Sequence, residues 1–343
     1  MSFSAKPCLN HRGPASSPVC RRVIRLALLS LALLAAVPVL RGPAQTPAPT
    51  PPVANESPAP LAADAVTTLK VESNLVAVSA IVRDSAGKPI TGLTRGDFLL
   101  KQDGKPQAIA YFSQGSDLPL TLALMVDTSG SQRNFIQDEI AAGRAFFPAM
   151  LTQPADRAVL VQFDSAILQL AKTTSSVPTL EHALAYLSQS HDDFAPFQGR
   201  GGTLLFDAII AVSHLELGNQ MGRRAMVILT DGGDNGSRFS AKDAIRAAQG
   251  ADIMIYSVFY SNGGGDLDVL RNLSRATGGR VFEVGPTLSL QQVYTQIAAD
   301  MRLQYELAYT PPSSKPNKYH KLDLTVASKS LLVQSREGYF TPK

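Results

Sequence analysis

The sequence predicts an α/β fold: a doubly wound, mostly parallel sheet with helices on both faces, inserted in a small β-sandwich formed by flanking N- and C-terminal strands. Three observations carry this expectation. In the middle of the 343-residue chain, short apolar runs such as Leu120–Val126, Met226–Thr230 and Ile253–Phe259 alternate with stretches of helical periodicity. Such alternation is the signature of a parallel sheet whose strands are buried on both faces. Two of the runs stop at an aspartate, Asp127 and Asp231, each followed within three residues by glycine. On either side of this region, residues 66–115 and 304–343 read as strands, and each set is too small to close a sandwich by itself.

Taken in order, residues 1–44 read as an export signal. Lys6, Arg12, Arg21, Arg22 and Arg25 precede the apolar run Leu26–Leu40, and Gly42-Pro43-Ala44 offers a cleavage point, so the mature chain is expected to begin near Gln45. The run is short of the roughly 20 residues of a membrane span. An uncleaved N-terminal anchor is the alternative, and either reading places the rest outside the cytoplasm. Residues 45–65 are dense in Pro, Ala and Thr and are expected to form an extended linker. From Thr67, β-favouring segments (Leu69/Val71, Leu75–Val82) lead to a turn at Asp84–Gly87. Phe98–Gln102 and Ala108–Phe112 then read as a hairpin turning at Asp103-Gly104.

After the strand ending at Asp127, Ile136, Ile140, Phe147 and Leu151 mark one helical stripe, with Gly143 permitting close packing. Ala158–Phe163 and Ile167–Leu170 read as strands turning at Asp164-Ser165. Helices follow over Leu180–Leu187, Leu204–Leu217, Ala241–Gln249, Leu267–Ala276 and Leu290–Leu303, with a further strand at Val281–Val284. Past Leu303, Tyr305/Leu307/Tyr309 and Leu322/Leu324/Val326 recur with the period of two of a half-buried strand, and Leu331–Val333 follows.

Chemistry concentrates in three stretches. Asp127-Thr128-Ser129-Gly130-Ser131 places oxygen side chains at alternate positions of a tight loop, where they can converge on one point. Oxygens without Cys or His suit a hard cation; helix capping by Asp and Ser is the competing explanation. Gly201-Gly202-Thr203 sets a Thr after a glycine pair, and Thr230-Asp231-Gly232 closes a strand. The ordered set resembles the von Willebrand factor A (vWA) domain over about residues 118–303. That family's metal-ion-dependent adhesion site (MIDAS) is Asp-x-Ser-x-Ser, a distant Thr, and an Asp closing a later strand. Thr203-x-Leu205-Phe206-Asp207-Ala208 is similar to the start of the family's third helix. The flanking strands and the Gly338-Tyr339-Phe340 ending resemble bacterial secreted vWA-related proteins of the acidobacterial type.

The resemblance implies a Rossmann-like domain holding Mg²⁺ or Mn²⁺ through Asp127, Ser129, Ser131, Thr203 and Asp231. Ser129 and Ser131 would touch the ion through their hydroxyls, Thr203 directly or through water, and Asp127 and Asp231 mostly through waters. A first shell rich in neutral oxygens leaves the cation short of negative charge, so the implied partner is a protein presenting an Asp or Glu carboxylate. Asp207 is expected beside the site. Asp234, Asn235 and Ser237 read as a solvated loop capping the helix near Ala241, and His191 and Arg200 as solvated loop residues.

Composition removes several function classes. The net charge of +4 is concentrated at the start: residues 1–41 hold six basic residues and no acid, leaving 26 basic against 28 acidic, a net of −2. A nearly neutral body gives no electrostatic footprint for nucleic acid. Both cysteines, Cys8 and Cys20, precede the apolar run. Thiol catalysis and Cys-ligated zinc are thereby excluded from the body. The five histidines are scattered, and neither a phosphate-cradling Gly-x-x-x-x-Gly-Lys loop nor a Gly-x-Ser-x-Gly elbow occurs. No catalytic residue and no organic cofactor is expected, and the chain reads as a binding module rather than an enzyme. A metal-assisted hydrolase and a structural envelope protein with a vestigial site are the alternatives.

Overall fold

The computed structural model describes residues 75–115, 118–188, 202–260 and 264–341. The expectations for the export segment, the Pro-rich linker, Leu69/Val71, His191 and Arg200 lie outside these residues. All described residues belong to one compact unit, Leu69–Lys343.

The strands β1 (Val76–Arg83), β2 (Phe98–Gln102), β3 (Lys105–Gln107) and β4 (Tyr111–Gln114) precede the central layer. There follow β5 (Leu120–Asp127), α1 (Ile136–Met150), β6 (Arg157–Phe163), β7 (Ile167–Thr174), α2 (Val177–Leu184), α3 (Leu205–Val212) and β8 (Arg223–Thr230). The chain continues through α4 (Ala241–Gly250), β9 (Ile253–Phe259), α5 (Leu267–Thr277), β10 (Val281–Glu283) and α6 (Leu290–Arg302). It ends with β11 (Tyr305–Tyr309), β12 (Tyr319–Val326), β13 (Leu332–Ser335) and β14 (Gly338–Phe340).

The fold is the predicted α/β class. Six strands form one sheet in the order β10-β9-β8-β5-β6-β7, parallel throughout except for the β6–β7 hairpin. All eight residues of β5 are buried, as a central parallel strand requires. Its alternate side chains feed two cores. Leu120, Leu122, Leu124 and Val126 pack with α1, α2 and α6, while Ala123 and Met125 pack with α3, α4 and α5. Gly143 has the packing role expected of it, since a Cβ there would lie 3.0 Å from Leu184 Cδ1.

The flanking segments interleave. β11, which directly follows α6, pairs antiparallel with β1 and β4 in the sheet β13-β1-β11-β4. β12 pairs antiparallel with β2 and β14 in the sheet β14-β12-β2-β3. Val78, Ala80, Val82, Phe98 and Leu100 from before the insertion share one apolar core with Tyr305, Leu307, Tyr309, Leu322 and Leu324 from after it. The turn at Asp103-Gly104 is where the sequence places it, but its return strand is Lys105–Gln107, not Ala108–Phe112. The chain instead crosses over, and β4 joins the other sheet. Pro106 has no N–H to give to a further ladder, so this short strand can only be an edge.

On β11, alternate residues point away from the sandwich core, and Glu306 lines a cavity with Arg223 and Arg224 of the inserted domain. Glu306 is 7% exposed, with Ser79 donating to its Oε2 at 2.8 Å. Burial pushes its carboxyl up from 4.5 to about 7, against the lowering effect of the Ser79 hydrogen bond. In the unfolded chain this group ionises near 4.5, so between that value and 7 the folded state holds a proton that the unfolded state has lost. Stability therefore falls as pH rises through this window and levels off above it. Glu306→Gln is expected to stabilise the protein above pH 7 by about 3 kcal/mol, the equivalent of that pKa gap. The gain should vanish below about pH 4.5. Denaturant unfolding of both proteins at several pH values checks this, and a gain independent of pH would contradict it.

Candidate functional site

In this sheet the chain leaves β5 toward β6 on one side and returns through β8 on the other. The strand order reverses between them, and ligands of open α/β sheets bind at the carboxyl ends of strands at such a switch point. Asp127 ends β5 and Asp231 follows β8 directly. The pairing Val126↔Leu229 sets the two ends side by side.

Asp127 is fully buried, and both its carboxylate oxygens are engaged. The backbone N–H of Ser129 donates to Oδ1 at 2.9 Å, and the Thr230 hydroxyl donates to Oδ2 at 2.6 Å. Thr230 Oγ1 in turn accepts from Gly232 N–H at 3.0 Å. Burial raises the Asp127 carboxyl to about 6; the hydrogen bonds from Ser129 and Thr230 act against this, and the nearby Asp231 charge adds to it. A buried carboxylate with a second one close by favours a neighbouring cation.

Ser129 and Ser131 follow on the same loop, and their hydroxyl oxygens stand 3.2 Å apart. Adjacent oxygens on one octahedral Mg²⁺, each bonded at 2.0–2.1 Å, lie about 2.9 Å apart. The serine pair thus fits two neighbouring positions on one ion. Thr128 ties the loop down: its N–H donates to Phe163 O and its hydroxyl to Asp164 Oδ2.

Thr203 reaches the rim from a separate segment and is 8% exposed. Its N–H donates to Asn235 Oδ1 at 2.6 Å, and its carbonyl accepts from the N–H groups of Asn235 and Gly236. Leu204 N–H donates to Asp164 O, so the Thr203 segment is bound to the loops after both β6 and β8. A Cβ on Gly202 would meet Asn235 Oδ1 and Gly236 Cα at 3.5 Å, which shows how closely the two backbones approach.

The reading of Asp234, Asn235 and Ser237 as a cap for the helix near Ala241 is corrected. Ser240, in a capping box with Asp243, caps that helix. Asp234 Oδ2 and Ser237 Oγ instead accept from Phe206 N–H, and Ser237 Oγ also accepts from Asp207 N–H, at the start of α3. Asp207 reciprocates: its Oδ1 accepts from the N–H groups of Arg238 and Phe239. These residues fasten the Thr203 segment to the Asp231 loop. Thr230 also escaped the sequence reading; its position opposite Asp127 follows only once the register of β5 and β8 is known.

Beneath the rim lies a polar layer that no motif announces. Gln132 is buried and its Nε2 donates to Tyr260 O at 3.4 Å. Glu139 on α1 is 1% exposed, and neither of its carboxylate oxygens meets a hydrogen-bond partner among the described residues. Burial, with the Asp127 charge next in size, holds its carboxyl well above the ordinary range. Among the described residues no group of three or more His, Cys, Asp and Glu side chains could hold a metal. The candidate set is of a different kind, two carboxylates and three hydroxyls.

Several solved structures are similar to parts of this chain. A von Willebrand factor type A protein from Catenulispora acidiphila matches at 11% identity and a TM-score of 0.45, over 72% of this chain and 74% of that one. The vWF domain of the type V pili tip protein Mfa5 from Porphyromonas gingivalis matches at 14% identity and a TM-score of 0.41, over 54% of this chain and 95% of the other. Manganese-loaded TRAP protein from Plasmodium vivax matches at 15% identity and a TM-score of 0.41, over 68% and 98%. No protein-family model and no curated protein matches the chain.

Two glycines set where Asp231 stands. Gly265 has φ +97°, and a Cβ there would fall 2.2 Å from Asp231 O; Gly232, at φ +79°, would place its Cβ 2.4 Å from Asp266 O. Asp266 N–H closes the contact by donating to Asp231 O at 2.8 Å. Gly265→Ala is therefore expected to shift the Asp231 loop and to cost about 1–3 kcal/mol of stability. Gly285→Ala, where nothing lies within 4 Å of the new Cβ, should be close to neutral. Thermal melts of both variants check this, and equal melting temperatures would contradict it.

Proposed function

We propose that the chain is an extracytoplasmic, divalent-cation-dependent, adhesion-type protein-binding module. The observation that carries the reading is the pair of serine hydroxyls beside the buried Asp127, at the switch point between β5 and β8. Asp127, Ser129, Ser131, Thr203 and Asp231 would hold Mg²⁺ or Mn²⁺. The bound ion would supply positive charge at an open position, where a partner's Asp or Glu carboxylate binds.

The chain's own residues do the rest. Thr230 and the Ser129 N–H fix the Asp127 carboxylate so that it orients rather than saturates the ion. Asn235 and Gly236 hold Thr203 at the rim, and neutral hydroxyls leave charge for the partner to supply. The export pattern at the N-terminus supports an extracytoplasmic location, with the Pro-rich segment as tether. We propose no enzymatic activity. A metal-assisted hydrolase would need a general base within reach of the bound water. Among the described residues the carboxylates at the rim hold loops, and Glu139, whose oxygens have no partner, lies buried beneath it. A structural protein with a vestigial site is the remaining alternative.

Ser131 is exposed, so Ser131→Ala removes a ligand without a packing cost. Calorimetric titration with Mg²⁺ should give saturable binding to the wild type, none to Asp127→Ala, and binding to Ser131→Ala and Thr203→Ala weaker by about 1.5–3 kcal/mol, the scale of a hydrogen bond to a charged group. If these residues only cap loops, each substitution costs about 1 kcal/mol of stability and leaves titration heats unchanged. Wild-type protein that binds no Mg²⁺ at millimolar concentration would overturn the proposal.

A further inference from the structure

A second polar site lies at the opposite end of the sheet from Asp127. There a cavity of about 220 Å³ opens between the sandwich and the strand starts of the inserted domain. Arg223, Arg224 and Ile253, at the starts of β8 and β9, form one wall, and Ala77, Ser79, Gln304 and Glu306 from the sandwich side form the other. Arg336, from the segment between β13 and β14, also lines it. At the ~30 Å³ per molecule of the liquid, the space takes about seven waters.

Its lining carries hydrogen-bonding groups that the protein leaves without partners. Glu306 is 7% exposed and Gln304 2%, yet Glu306 Oε1 and Gln304 Oε1 accept from nothing among the described residues. Arg336 is 8% exposed; its terminal nitrogens are taken by Ala77 O, Gln249 O and Asp252 Oδ1, but its Nε donates to nothing among the described residues. Arg224 Nε is likewise unpartnered. Buried polar atoms in this state are costly unless water or a ligand meets them.

The lining is mixed in sign and ordered in space. The unpartnered acceptors stand together on β11 and the residue before it, and the unpartnered donors are guanidinium nitrogens. A simple anion would meet Glu306 and Asp252, and a simple cation would meet Arg223, Arg224 and Arg336. A molecule bearing both charges on adjacent atoms satisfies both walls. We propose that this cavity binds a small free α-amino acid, its ammonium donating to Glu306 and Gln304 and its carboxylate accepting from Arg336 with Arg224 beside it. The volume restricts the ligand to a short side chain. Glu306, whose ionisation destabilises the empty protein, becomes fully paired in the complex. Asp252, with 30% of its side chain exposed, also lines the cavity.

The test uses the full chain in chelator, so that the rim at Asp127 takes no part. Glycine, L-alanine and L-serine are each titrated calorimetrically, and melting temperatures are followed at increasing concentration. At least one should bind saturably and raise the melting temperature. Acetate and ethylamine, which carry one charged half each, should bind at least tenfold more weakly. Glu306→Gln, which keeps the side-chain shape and folds more stably at neutral pH, should lose at least tenfold in affinity. Gln304→Met should lose affinity as well. No saturable binding of any of the three amino acids, or equal binding to wild type and Glu306→Gln, would overturn the proposal and leave the cavity as a water-filled seam.

Discussion

The structure depends on one hydrogen bond across the centre of its sheet, from the Thr230 hydroxyl to Asp127 Oδ2 at 2.6 Å. It joins the carboxyl ends of β5 and β8 where the strand order reverses. A buried carboxylate is costly, and the cost is offset only if its oxygens are met. Thr230 and the Ser129 N–H meet them here, and in doing so they fix the loop that presents Ser129 and Ser131. Strand register, loop shape and the placing of hydroxyl oxygens are thus one constraint seen at three scales. The Thr203 segment is bound in turn to the loops after β6 and β8, so the rim is assembled from segments far apart in sequence.

The same sheet has two chemically different ends. At the carboxyl end, hydroxyls and the two carboxylates of Asp127 and Asp231 gather. At the amino end, Arg223, Arg224 and Arg336 gather around Glu306 and Asp252, and the sandwich covers them. The covering is a consequence of the insertion. Because β11 leaves α6 directly and pairs with β4, from which the chain enters β5, the two connections to the inserted domain lie on neighbouring strands of one sheet. Asp300 on α6 reinforces the junction, paired with Arg83 of β1 and with Arg280. An acid 1% exposed between two guanidiniums ties the helix to the sandwich.

Much of this was legible in the residues. β5 and β8 announce themselves as apolar runs ending at aspartate, and the alternation of Leu322, Leu324 and Val326 marks β12 unambiguously. Pairing of the flanking segments followed from a shortage of strands on each side. What stayed hidden depends on contacts between distant residues. The return strand after Gly104 ends early because the chain changes sheets, and no local pattern encodes a crossover. Asn235 and Ser237 look like solvated loop residues until Thr203 and Phe206 are beside them. His320 reads as one of five scattered histidines, yet it is buried, its Nδ1 2.7 Å from Asp103 Oδ2 and 3.0 Å from Gln102 Nε2, both in or next to β2. Glu139 lies three residues after Ile136 and four before Gly143, on the buried face of its helix, but a carboxylate is not expected there. Of the candidate site, the sequence offers Asp127, Ser129, Ser131, Thr203 and Asp231 as an ordered set; it does not point to Thr230, whose hydroxyl donates to Asp127.

The central claim is that Asp127, Ser129, Ser131, Thr203 and Asp231 surround one divalent cation. The most direct measurement is anomalous diffraction at the manganese edge from crystals grown in Mn²⁺. The account predicts a single strong peak between the Ser129 and Ser131 hydroxyls, within bonding distance of both, that disappears when crystals are washed with chelator. A rim without anomalous density at millimolar Mn²⁺, or density only at other carboxylates of the protein, would contradict it.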